Sequence, residues 1–172
     1  MLQFTDWLSR TSFSLAIQTH EWVIPTVQSV HIAAIGVVLA SVFMIDLRVL
    51  GLAGRDQSLL ETTGRFGPWL SGALCVLLTT GVLMVVGEPA RELLAFSFWL
   101  KMFLVALGTL VAAAFQLALR RNEPHWELSI TKRATTKVLA LLTLLIWVCI
   151  VILGRLIAYD HVWGSWSHAP KA

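Results

Sequence analysis

A handful of side chains in this sequence could do chemistry in an apolar setting. His31 lies in VQSVHIAAIG, residues 27–36, with Gln28 one turn before it. Lys101 lies in FWLKMFLVAL, Arg155 in VILGRLIAY and His161 in YDHVWGSW. A neutral imidazole is a common ligand of haem iron. Cationic Lys101 and Arg155 suit carboxylates such as haem propionates, or an anionic or quinone headgroup. The types therefore point to a b-type haem with His31 as an axial ligand and Gln28, Lys101 and Arg155 shaping its pocket. The sixth position is open to His161, His20, Lys101, a small molecule or nothing.

The elements that must position these residues are written in the hydropathy. Of 172 residues, 57% are hydrophobic and only 13% charged, about half the charged share of a soluble domain. Mean hydropathy is +0.76. Crossing a bilayer takes roughly 20 apolar residues, and four runs meet that length: 22–45, 68–87, 93–119 and 138–159. Backbone in lipid must satisfy its own polar groups, and no alternating strand pattern is present, so the runs read as helices. The expected fold is all-α, a four-helix transmembrane bundle spanning 1–172 as one domain. A preceding segment, LQFTDWLSRTSFSLAIQTHEW, places Phe4, Trp7, Leu8 and Leu15 on one helical side. It reads as an interfacial helix capped by Thr5.

Depth brings the candidates together. With a rise of about 1.5 Å per residue, His31 lies roughly 13 Å, Lys101 roughly 12 Å and Arg155 roughly 7 Å from one end of their helices. No matching layer is evident at the other end. Charged groups facing lipid cost a few kcal/mol each, so these should face the bundle interior. Small residues share their faces: Ala34, Val38 and Ser41 beside His31, and Val105, Gly108 and Ala112 beside Lys101. Such faces pack against protein.

Arg48, Arg55 and Arg65 follow the first run, and Arg120, Arg121, Lys132, Arg133 and Lys137 follow the third. The excess of Lys and Arg marks the cytoplasmic side. Both termini are then expected in the periplasm of a bacterial inner membrane, with Trp22, Trp163 and Trp166 as an outer aromatic belt. The opening residues lack a basic n-region and do not read as a signal peptide. A net charge of +3 scattered between apolar runs forms no nucleic-acid stripe. Cys75 and Cys149 sit in apolar runs and read as small buried hydrophobes.

Other groups have plainer readings. Asp46 and Arg48 cap and anchor the first helix at the inner surface. Glu88 and Arg91 belong to a solvated outer turn. Asp160 could orient His161, and His161 with His168 could take a copper ion. No nucleophile set, phosphate loop or carboxylate pair is present, so whether the chain is an enzyme stays open.

Two stretches, VHIAAIGVVLASVFMIDLRVLG and FWLKMFLVALGTL, resemble the small haem-associated membrane families that include HemJ-type protoporphyrinogen oxidase and the CopD copper-resistance protein. The matching residues are His31, Arg48, Trp99, Leu100 and Lys101. The resemblance implies haem binding through His31. HemJ-type proteins carry further histidines where this chain reads Val49-Leu50-Gly51 and Phe115-Gln116-Leu117, so it does not imply porphyrinogen oxidation. Trp22, Pro25, His31, the run Asp46-Leu47-Arg48-Val49-Leu50-Gly51 and Gly154-Arg155-Leu156-Ile157-Ala158-Tyr159 also resemble an uncharacterised bacterial four-helix membrane family over nearly the whole chain.

The expected function is that of an integral membrane b-type haem protein passing electrons at the outer face. Its partners would be the lipid bilayer and a redox protein or larger membrane complex, with no nucleic acid. The alternatives are a non-catalytic membrane subunit that binds lipid or quinone, and a copper or small-solute permease.

Overall fold

The computed structural model describes residues 1–121 and 134–157. Among them the chain is all-α: α1 (Leu2–Ser9), α2 (Ser12–Thr19), α3 (Val23–Leu50), α4 (Leu59–Gly87), α5 (Pro89–Leu93), α6 (Phe96–Arg121) and α7 (Ala134–Ile157). Helices α3, α4, α6 and α7 each carry a stretch long and apolar enough to cross a membrane. The chain is a multi-pass membrane protein in contact with lipid. Its outward faces bear Ile32, Phe43, Leu78, Phe103, Leu110 and Leu145, all exposed. Apolar atoms facing outward are what a lipid solvent requires.

Helix α3 packs chiefly on α4 and also on α7, and α7 packs on α6. The central core joins Val38 and Val42 of α3 to Leu70 and Ala73 of α4 and Trp147 and Ile150 of α7. Gly108 makes room for it, since a Cβ there would meet the Trp147 indole at 3.4 Å. The small residues expected to pack inward do so: Ala34, Val38, Ser41 and Gly108 are buried.

Several boundaries differ from the hydropathy reading. Helix α3 runs past Asp46 to Leu50 and stops at Gly51, whose φ of 71° is left-handed. Gly51 N–H donates to Arg48 O and Leu52 N–H to Leu47 O, which closes the carbonyls that a helix end leaves open. Helix α4 starts at Leu59, nine residues before Pro68, because Ser58 and Glu61 form a reciprocal capping box. Pro68 lies inside that helix on its exposed side. The third run starts later than expected: Pro89 opens the single turn α5, which ends at Leu93, and α6 begins only at Phe96.

The N-terminal segment is two helices. Thr11, not Thr5, is the side-chain cap, accepting from Ser14 N–H. Thr5 is buried within α1 and donates to Leu2 O. Phe4, Trp7 and Leu15 are exposed, while Ser14 and Ile17 face the bundle. Ser14 Oγ donates to Val86 O at 2.7 Å and Gln18 Nε2 to Gly87 O at 3.1 Å. Polar side chains thus fasten α2 to the open carbonyls at the end of α4. The apolar side is left outward, as an interfacial helix requires.

Both cysteines are exposed, not buried. Each lies on a face of its helix turned away from the neighbouring helices, where lipid supplies the apolar surroundings that hydropathy alone reads as core.

Candidate functional site

His31 is buried, 9% exposed, on the side of α3 that faces α4. Its Nδ1 lies 2.7 Å from Thr80 Oγ1. The threonine hydroxyl donates its own proton to Val76 O, also at 2.7 Å. Towards His31 it therefore accepts, so the ring proton is on Nδ1 and the lone pair on Nε2. Ring-nitrogen ligands of metals are held in this way, with the second nitrogen donating to a fixed partner. The ring edge lies against Gly81, where a Cβ would come 3.8 Å from Cε1.

Lys101 projects from the second turn of α6, about 7.5 Å past its start, shallower than the roughly 12 Å expected. The break at Leu94–Ala95 moves the start of its helix. Its ammonium lies against α7, where a Cβ on Gly154 would come 3.7 Å from Nζ. Lys101 is within electrostatic reach of His31 and of Glu92. Arg155 follows Gly154 and is exposed, and Gln28 is half-buried one turn before His31. Four elements thus bring His31, Thr80, Lys101 and Glu92 to the half of the bundle that carries α1, α2 and α5.

Thr80 and Glu92 escape a reading of the sequence alone. Thr80 follows Thr79 in an apolar run, and only the α3–α4 register tells which of the two meets His31. Glu92 is 5% exposed, although its segment reads as a solvated turn. Burial pushes its carboxyl above the ordinary 4.5, with Glu88 adding and Lys101 and Arg91 opposing. Glu88 itself is half-buried and ion-paired to Arg91.

His20 is exposed, with Nδ1 2.9 Å from Ala16 O and its ring edge-on to Trp22. A carbonyl only accepts, so His20 donates from Nδ1. His161, His168, Asp160 and the copper site drawn from them lie outside the described residues. Among the described residues no three His, Cys, Asp or Glu side chains gather as a metal site would.

The opposite half overturns one expectation. Asp46 does not cap α3 at a surface; it is 7% exposed, one turn inside the helix. The helix continues past it to Gly51, and the face it shares with Val42 and Val49 turns inward. Arg48 does serve the helix end, donating from Nε to Gln57 O at 2.7 Å. A polar group is therefore buried in this half as well.

Comparison with known proteins assigns a family and adds no activity. Residues 4–160 match a family of unknown function, DUF6644, and the chain belongs to that family. No curated protein and no solved structure matches it.

Proposed function

We propose that this member of DUF6644 is an integral membrane protein of the bacterial inner membrane that binds a b-type haem and passes electrons at the periplasmic face. One observation carries the reading: a buried histidine in a membrane-spanning helix, its Nδ1–H committed to Thr80, offers the lone pair of Nε2. The donor chemistry fits a haem-iron ligand, and the ring edge lies against Gly81, which carries no side chain. When bound, such a group supplies one-electron redox chemistry. The chain's own part is to keep His31 oriented through Thr80 and to hold cationic Lys101 where a propionate would pair with it. His20, near the membrane surface, is a candidate second ligand. The likeness to HemJ-type and CopD-like proteins supports the same reading.

On this reading both termini lie in the periplasm. Arg48, Arg55 and Arg65 lie at the end of the bundle away from α1 and α2, which supports it. A redox partner would dock at the α1–α2–α5 end.

A second reading has an observation of its own. Glu92 is buried within reach of Lys101, so the lysine has a counter-charge from this chain and needs no propionate. On that reading the layer is polar glue in a non-catalytic subunit, holding lipid or quinone at most. An absorption spectrum of protein purified after expression with ample haem decides between them. The haem reading expects a Soret band that shifts on dithionite reduction and is lost in His31→Ala. A colourless, well-folded wild type overturns it.

A further inference from the structure

In the half of the bundle nearer the 51–58 loop, a cavity of about 220 Å³ opens among α3, α4, α6 and α7. Its walls are mostly apolar, with Ile45, Leu70, Ala112 and Phe115 among them. Two polar groups stand on its lining without a partner among the described residues: the Asp46 carboxyl, through Oδ2, and the Trp147 indole N–H. Asp46 is 7% exposed and Trp147 3%. Leaving one such buried group unsatisfied costs about 1–3 kcal/mol, and two on one cavity point to something that completes them.

We propose that this cavity binds the head of a lipid-soluble quinone or quinol, at a site separate from the His31 layer. The donor and acceptor pattern selects the class. The indole only donates, so the ligand must bring an acceptor to Trp147. The Asp46 carboxyl accepts when ionised and donates when protonated, so it takes a quinol hydroxyl in the first form and a quinone carbonyl in the second. A quinone or quinol carries oxygens on opposite edges and meets both needs. A lipophilic amine would pair with Asp46 but leave the Trp147 donor orphaned. Size agrees: a cavity of roughly 150 Å³ accepts a benzene ring, so this one holds a substituted single ring with its tail left between the helices. The walls are membrane-length helices, so a ligand dissolved in the bilayer is the one that reaches them.

The test uses full-length protein in phosphatidylcholine nanodiscs and decylubiquinone as the probe. A ligand that binds the folded state raises its melting temperature with concentration. The expected result is saturable stabilisation of the wild type, weakened tenfold or more in both Asp46→Leu and Trp147→Phe. Ala112→Leu, which fills the cavity and leaves both polar groups in place, abolishes it. Should Asp46→Leu fail to fold, Trp147→Phe and Ala112→Leu carry the comparison. His31→Ala binds the quinone as the wild type does, so loss of a haem spectrum and loss of this binding are separate results. No saturable effect on the wild type overturns the proposal. So does unchanged binding in the two polar variants, or decylamine binding more tightly than the quinone.

Discussion

His31 and Glu92 set the chemistry of the outer layer, and each has a measurable consequence. Among the described residues the Thr80 hydroxyl is the hydrogen-bond partner of His31 Nδ1. Thr80→Val keeps the shape and leaves that N–H buried and unpaired, a cost of about 1–3 kcal/mol. The variant is expected to melt earlier in detergent, and any haem spectrum should weaken with it; an unchanged melt would show that the bond contributes nothing. Glu92 titrates with a definite sign. Burial raises its folded pKa above the ordinary 4.5. Between 4.5 and that raised value the folded chain holds a proton that the unfolded chain has released. Its contribution is therefore fully present below 4.5, and stability falls as pH rises through the interval. Glu92→Gln is expected to flatten that slope in melts taken across pH. A slope equal to the wild type's would assign it to another group. At this scale the sequence was half legible. An ionisable residue in an apolar run is visible by type, as His31 and Lys101 were. Thr80 was invisible because a threonine pair in a helix is unremarkable until the facing helix is placed.

The element scale turns on how the interfacial helix is fastened. Gly87 ends α4, and a Cβ there would lie 2.5 Å from Ile24 Cδ1 and 2.9 Å from Ile17 Cγ2. Absence of a side chain is what lets α2 and the start of α3 close on α4, so that Ser14 and Gln18 reach the carbonyls of Val86 and Gly87. Gly87→Ala forces those side chains apart, at a cost of about 1–3 kcal/mol. The expected readout is faster proteolysis within residues 1–20 together with a lower melting temperature. Proteolysis at the wild-type rate would mean that α2 stays docked without the close approach. Hydropathy located all four long helices, because an apolar stretch of that length has few other fates. It misplaced their ends, because ends are set by short-range chemistry: the Ser58–Glu61 box, the left-handed Gly51 and Pro89 starting its own turn.

For the whole molecule, the distribution of arginines makes the orientation testable. With Cys75 and Cys149 replaced by alanine, Ser9→Cys and Asp56→Cys report opposite ends of the bundle. Both native residues are surface-accessible or nearly so. A membrane-impermeant thiol reagent is expected to label Ser9→Cys in spheroplasts and Asp56→Cys only after permeabilisation. The reverse pattern would invert the bundle and move the His31 layer to the cytoplasmic half.

The sequence by itself determined that this is a membrane bundle of four long helices with a histidine and a lysine inside its apolar runs. Those features depend on composition and local periodicity, which the solvent reads without knowing the partner helices. Only the tertiary structure decided which groups meet. It paired His31 with Thr80, brought Glu92 within reach of Lys101, and turned Asp46 from an assumed surface cap into a buried carboxyl on the same cavity as Trp147. These juxtapositions join residues 49, 9 and 101 positions apart in turn. Helix rotation and register, settled by packing of Val38, Leu70 and Trp147, choose among faces that hydropathy leaves equivalent.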